Sequence, residues 1–255
     1  MTQPNSVTKR AFSVIGDHFL ILWMTALWPY LLLAAVYISI AVVRHAGQAA
    51  DDQTGTLLER VNSLTLGVRL LLLLAFVAGQ CLPADLSTAG VSYLVWAALH
   101  GEEVRLGLIW PRLAGILVRL VILSLSIAIL GFAGSLFILP GIAIFLFTSF
   151  VVPVVAIENA GISTALRVGV RYAKSQFVPL FLLLILIGIA AIVFAVGVVF
   201  VVTSLADYPW WVGVSGLWAY FTVLASLLMM TRSTIVTVLY KDSREKAENP
   251  TMGIS

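Results

Sequence analysis

Residues 113–157 and 175–231 carry one charged side chain each, Arg119 in the first and Asp207 in the second. Each stretch is more than twice the roughly 20 apolar residues a helix needs to cross a hydrocarbon core of about 30 Å. Each therefore has room for two spans. Hydrophobic residues make up 61% of the chain and charged residues 11%, against about 45–50% and 25% in soluble domains, so a soluble fold is excluded. The net charge of +3, from 15 basic and 12 acidic side chains, suits a lipid headgroup surface. Nucleic-acid binding is not expected, because it calls for a continuous basic face on a soluble domain. Cys81 is the only cysteine, so neither an intrachain disulfide nor a thiolate metal cluster can form. No cofactor or metal is expected.

The apolar runs divide into about six spans, near residues 19–43, 66–99, 113–135, 137–157, 177–205 and 210–240. The fold expected is an all-α, polytopic integral membrane helical bundle with short interfacial helices. It forms a single transmembrane domain over residues 1–241, followed by a polar, disordered cytoplasmic tail over 242–255. Lys9 and Arg10 precede the first run, which is longer than the roughly 7–15 residues of a cleaved signal, so it reads as an uncleaved span. With the N-terminus inside, the inner segments collect Lys9, Arg10, Arg105, Arg112, Arg167, Arg171, Lys174, Lys241, Arg244 and Lys246, while the outer ones hold only Arg44 and Arg60. Cytoplasmic loops are enriched in Lys and Arg, so both termini are expected inside. Arg69, Arg119 and Arg232 lie near span ends, where a long stem can snorkel. The polar stretch 45–63 reads as a short external loop.

Between residues 162 and 173, Ile162, Ala165, Leu166, Gly169, Val170 and Ala173 repeat at helical spacing, and Arg167, Arg171 and Lys174 share the opposite face. This is an amphipathic helix lying at a membrane surface, with its cations toward anionic headgroups. An equally weighted alternative is a solvated loop face that only sets topology. Val7, Ala11, Val14, Ile15 and His18 form a weaker stripe of the same kind.

An acid inside a span is costly, which singles out Asp85. Pro83 is a candidate helix break within residues 66–99. If the helix ends there, Asp85 is interfacial; if it runs on to Leu99, Asp85 joins Gln80, Ser87 and Thr88 in a polar patch at mid-membrane that would face Arg119. Gly213-Val214-Ser215-Gly216 has the form of an intramembrane protease motif, but His18, His45 and His100 all precede the third span and offer no base. Ser215, Ala219, Thr222, Ser226, Ser233 and Thr237 form a small-residue stripe, and Gly188, Ala191 and Ala195 another, both suited to close helix packing.

The segment Leu139-Pro140-Gly141, Val152-Pro153-Val154, Glu158, Ala165-Leu166-Arg167 and Tyr172-Ala173-Lys174, preceded by Leu99-His100-Gly101-Glu102, resembles the membrane-domain family associated with bacterial glycerophosphoryl diester phosphodiesterases and its YciC-like relatives. Val168, Gly169 and Ser175 depart from that family's pattern. The resemblance implies six spans in a bacterial cell (inner) membrane and an uncharacterised molecular role. It does not imply phosphodiester hydrolysis, which in the fused relatives resides in a separate soluble domain. By their own chemistry, Pro140 and Gly141 form a second helix break, in a tight outer hairpin. Glu158 would pair with Arg167, Arg171 or Arg112.

The expected function is that of a non-enzymatic multi-pass membrane protein, an accessory that meets membrane lipids, anionic headgroups above all, or a membrane protein partner through its basic inner face. The alternative is a small transporter or permease component with a polar path near Asp85 and Arg119.

Overall fold

The computed structural model describes residues 4–50, 65–135, 138–204 and 210–248. Asp51, Asp52, Arg60, Asp207 and the tail beyond Glu248 lie outside the described residues. The helices are α1 (Pro4–Ala50), α2 (Leu66–Leu99), α3 (Ile109–Ser135), α4 (Ile138–Thr148), α5 (Val151–Glu158), α6 (Ile162–Ser175), α7 (Phe177–Ser204) and α8 (Trp210–Glu248), with a 3-10 turn at Leu106–Leu108. No strand occurs among the described residues. An all-α bundle is what hydrocarbon demands, since helices satisfy their own backbone hydrogen bonds.

Among the described residues, Val7–Tyr37, Leu106–Leu130 and Ser215–Glu248 are long and apolar enough to cross a membrane. The bent pair Ile162–Ser175 and Phe177–Ala190 would make a fourth. This count is lower than the six spans expected. One reason lies in residues 137–157, which form two helices of 11 and 8 residues separated at Ser149 and Phe150. At 1.5 Å per residue these reach only about 16 and 12 Å.

The helix break expected at Pro83 does not occur. Pro83 sits inside the unbroken 34-residue α2; a transmembrane helix tolerates the lost N–H because neighbouring groups re-satisfy the freed carbonyl. Pro140 and Gly141 lie in the first turn of α4, where a missing N–H has no intrahelical partner to lose. Residues 136–137, just before α4, lie outside the described residues.

The boundary expected at 241/242 also moves. α8 continues to Glu248, and Asp242 and Ser243 are buried. Arg10 donates two 2.8 Å hydrogen bonds to the Asp242 carboxylate, and Gln176 Nε2 donates to Ser243 Oγ at 3.0 Å. Lys241–Glu245 and Arg244–Glu248 pairs at i,i+4 favour continued helix in a segment that polarity alone marks as tail.

α2 is the central helix, packed against α1, α3, α5 and α8. Leu86, Ser87, Thr88, Ala89, Val91, Ser92, Leu94 and Val95 are buried in succession, so this part of α2 is enclosed on every side. Its small residues let the neighbours close in: a Cβ added at Gly90 would lie 2.6 Å from Thr25 Cγ2. α1 runs antiparallel to α8 and bends at His18 (φ −127°, ψ 20°), which sets off the segment bearing buried Val7 and Ala11.

Candidate functional site

Six helices, α1, α2, α3, α5, α6 and α8, meet at one end of the bundle, which carries Arg10, Arg112, Arg119, Lys241 and Arg244 and is here termed the basic end. α5 finishes there at Glu158, and Asn159 adopts a left-handed conformation (φ 55°) that turns the chain into α6. The last carbonyls of a helix lack intrahelical partners and carry the negative end of its dipole. Two arginines from α3 supply the missing donors. Arg112 Nε and Nη2 donate to the carbonyls of Ala156 (2.8 Å) and Ile157 (2.7 Å). Arg119 Nη1 donates to the backbone oxygen (2.7 Å) and side-chain oxygen (2.9 Å) of Asn159. The seven-residue spacing of the two arginines, two helical turns, puts both on one face of α3.

Arg119 is thereby committed to the turn and does not face Asp85. Asp85 instead accepts a 2.6 Å hydrogen bond from Ser124, five residues further along α3. Asp85 also interacts electrostatically with Arg232 of α8 and Tyr30 of α1. Because α2 is unbroken, Asp85 lies about 20 Å along the helix from its end at Leu99, well away from the basic end. Ser87 and Thr88 extend this polar seam, Ser87 donating to the Ala26 carbonyl at 2.8 Å and Ser233 donating to Thr88 at 3.2 Å. Arg232, Ser124 and Tyr30 were not singled out by sequence reasoning as partners of Asp85. For Arg232 a signal existed: Lys241 and Asp242 mark the end of the apolar run, which leaves Arg232 more than two turns inside it.

Glu158 meets none of its three expected partners. It accepts a hydrogen bond from the Tyr240 hydroxyl and lies 3.7 Å from Arg244, whose guanidinium stacks over the Trp96 ring at 5.4 Å. Tyr240 also touches the rings of Phe150 and Tyr172. Burial, and then the Glu158 carboxylate, raise the Tyr172 phenol above its ordinary value, so it stays neutral. The cluster ties the ends of α2, α5, α6 and α8 together with its charges mutually satisfied.

α6 forms where its periodicity predicts. Ala165, Gly169 and Ala173 are buried, and Ile162, Leu166 and Val170 partly so. Gly169 lets α6 lie directly on α5, since a Cβ there would sit 2.9 Å from Val151 Cγ2 and 3.2 Å from the Val151 backbone nitrogen. Arg167, Arg171 and Lys174 are exposed along the other face, in no ion pair among the described residues. At Gln176 the chain turns by 91° into α7. α6 therefore runs nearly perpendicular to the start of α7. No group of three or more His, Cys, Asp or Glu suited to a metal ion occurs among the described residues. No protein-family model matches this chain, and no curated protein or solved structure proves similar to it.

Proposed function

We infer that this protein is a non-enzymatic accessory protein of a bacterial inner membrane, with both termini cytoplasmic, which engages anionic phospholipid headgroups through Arg167, Arg171 and Lys174. The observation that carries this reading is α6 itself: three exposed cations in a row on a helix set at 91° to the apolar helix that follows it. The opposite face is locked by Ala165, Gly169 and Ala173, so the cations are held at one level and no ordering of a loose segment is needed. Each cation near an anionic surface contributes about 1 kcal/mol. Membership of the glycerophosphodiesterase-associated membrane-domain family belongs to the same proposal. It rests on the sequence motif residues Glu158, Ala165, Leu166 and Arg167.

Native mass spectrometry from gentle detergent tests it, comparing wild type with a variant in which Arg167, Arg171 and Lys174 are all glutamine. The variant is expected to lose anionic lipid by roughly tenfold or more. Equal retention by both proteins overturns the reading. One observation favours a second reading, a small transporter: a carboxylate, Asp85, sits inside the bundle beside Arg232 and Tyr30. Its polar path runs past Ser124 in place of Arg119. A pH-dependent ion flux in proteoliposomes, abolished by Asp85→Asn, is what this reading requires.

A further inference from the structure

Beside α6 lies a groove of about 330 Å³ between α1, α7 and α8, open along the side where Phe12, Val178, Leu182 and Leu186 are exposed. Val7 and Phe12 wall it on α1, Leu182 and Leu186 on α7, and Ile235 on α8, while Gln176 sits at the corner where α6 turns into α7. Three features point to an occupant. First, the groove follows α7 from Gln176 to Leu186 and α8 from Thr231 to Leu239, about 12–15 Å along each helix. That is half of a hydrocarbon core of about 30 Å, the depth of one leaflet. Second, it is lined by apolar residues between its head, where Thr8 and the buried Gln176 lie, and Thr231 at its foot, whose hydroxyl donates to the Leu227 carbonyl. Third, exposed cations neighbour the head residues in sequence: Lys9 follows Thr8 on α1, and Lys174 precedes Gln176 by two residues.

We propose that the α1–α7–α8 groove seats one acyl chain of an anionic phospholipid whose headgroup lies between Lys9 and Lys174. The proposal deepens the headgroup-binding reading by adding a defined chain site, and it rests on that reading for the placement of the basic end at a membrane surface. Length supports a single chain: the groove ends at Leu186 and Thr231, one leaflet below the lysines. Charge supports an anionic head: Lys9 and Lys174 come from different helices and no acidic residue lines the groove. The α6 stripe would then attract anionic lipid in general, and the groove would retain one molecule of it.

The test is native mass spectrometry of the full chain equilibrated with equal amounts of a phosphatidylglycerol and a phosphatidylcholine of matched chains. Wild type is expected to keep one phosphatidylglycerol. Leu186→Trp fills the groove from an exposed position, Leu186 being 53% exposed, and is expected to reduce retention of both lipids at least roughly tenfold with an unchanged melting temperature. Ile235→Trp fills it from the opposite wall and guards against a local artefact of the first variant. Lys9→Gln should keep a bound lipid and lose the preference for phosphatidylglycerol by roughly fivefold, the equivalent of about 1 kcal/mol. Retention of one phosphatidylglycerol by both filled variants overturns the groove. Arg167→Gln with Arg171→Gln separates the two ideas. If that pair changes nothing while the filled variants release lipid, the surface stripe falls and the groove stands; the reverse pattern removes the groove and leaves the stripe.

Discussion

α2 and α7 are both long apolar helices, of 34 and 28 residues, yet they occupy opposite environments. α2 is enclosed by four neighbours and lined with Ser87, Thr88, Ala89, Gly90 and Ser92. α7 has its main contact with α8 and presents Val178, Leu182, Ile189, Val193 and Phe200 outward. In water the more hydrophobic helix would be the buried one. In lipid, the surroundings are as apolar as leucine, so burial goes to the helix whose small and hydroxyl-bearing residues allow close approach and interhelical hydrogen bonds. The more apolar helix faces outward.

Four substitutions would break or sharpen this contrast. The largest effect is expected from Asp85→Ala, which leaves the buried Ser124 hydroxyl without its acceptor and removes the carboxylate that acts electrostatically on Arg232. Leaving such buried groups unpaired costs about 3 kcal/mol, seen as a lower melting temperature in detergent, and unchanged melting would show that α2's polar seam contributes nothing to stability. Gly90→Leu comes next, because its side chain must displace Thr25 from the α1–α2 contact; overpacking of this kind costs about 2 kcal/mol. Gly197→Leu probes a close approach of α7 to α8, since an added Cβ would overlap the Tyr220 hydroxyl. Local separation of α7 from α8 is expected at about 1 kcal/mol, with the polar seam intact, which a double-mutant cycle with Asp85→Ala would register as additivity. Gly188→Leu should change melting by less than about 0.5 kcal/mol, because nothing lies within 4 Å of a Cβ at that position. A large loss there would mean that α7 is covered by a partner.

The same contrast explains what could be read along the chain. The stripe of small residues expected on α8 is used where it meets α2 and α1: Thr222, Ser226, Ser233 and Thr237 are buried, with Trp23 Nε1 donating to Ser226 at 3.0 Å. Ser215 and Ala219, at the other end, are exposed. The matching stripe on α7 begins at Gly188, which contacts nothing, because spacing marks a face that can pack without saying which neighbour will meet it. α6 was legible because its charges and apolar positions segregate at helical period. The surroundings of Asp85 were legible only in part: the depth of Arg232 inside its apolar run was a signal, but only the helix neighbours show that Ser124 of α3, and not Arg119, reaches the carboxylate.

Apolar run length and the scarcity of charge were enough to establish a helical membrane bundle, because hydrocarbon tolerates few alternatives. Helical periodicity likewise sufficed for the amphipathic surface helix, which is a property of a single segment. Tertiary structure decided everything that depends on two segments meeting. It sent Arg119 to the Asn159 turn, set Arg232 against Asp85, drew residues 242–248 into α8 through Arg10 and Gln176, and let α2 pass unbroken through Pro83. Each of these is a contact energy between helices far apart in sequence, and no local pattern encodes which face will find which partner.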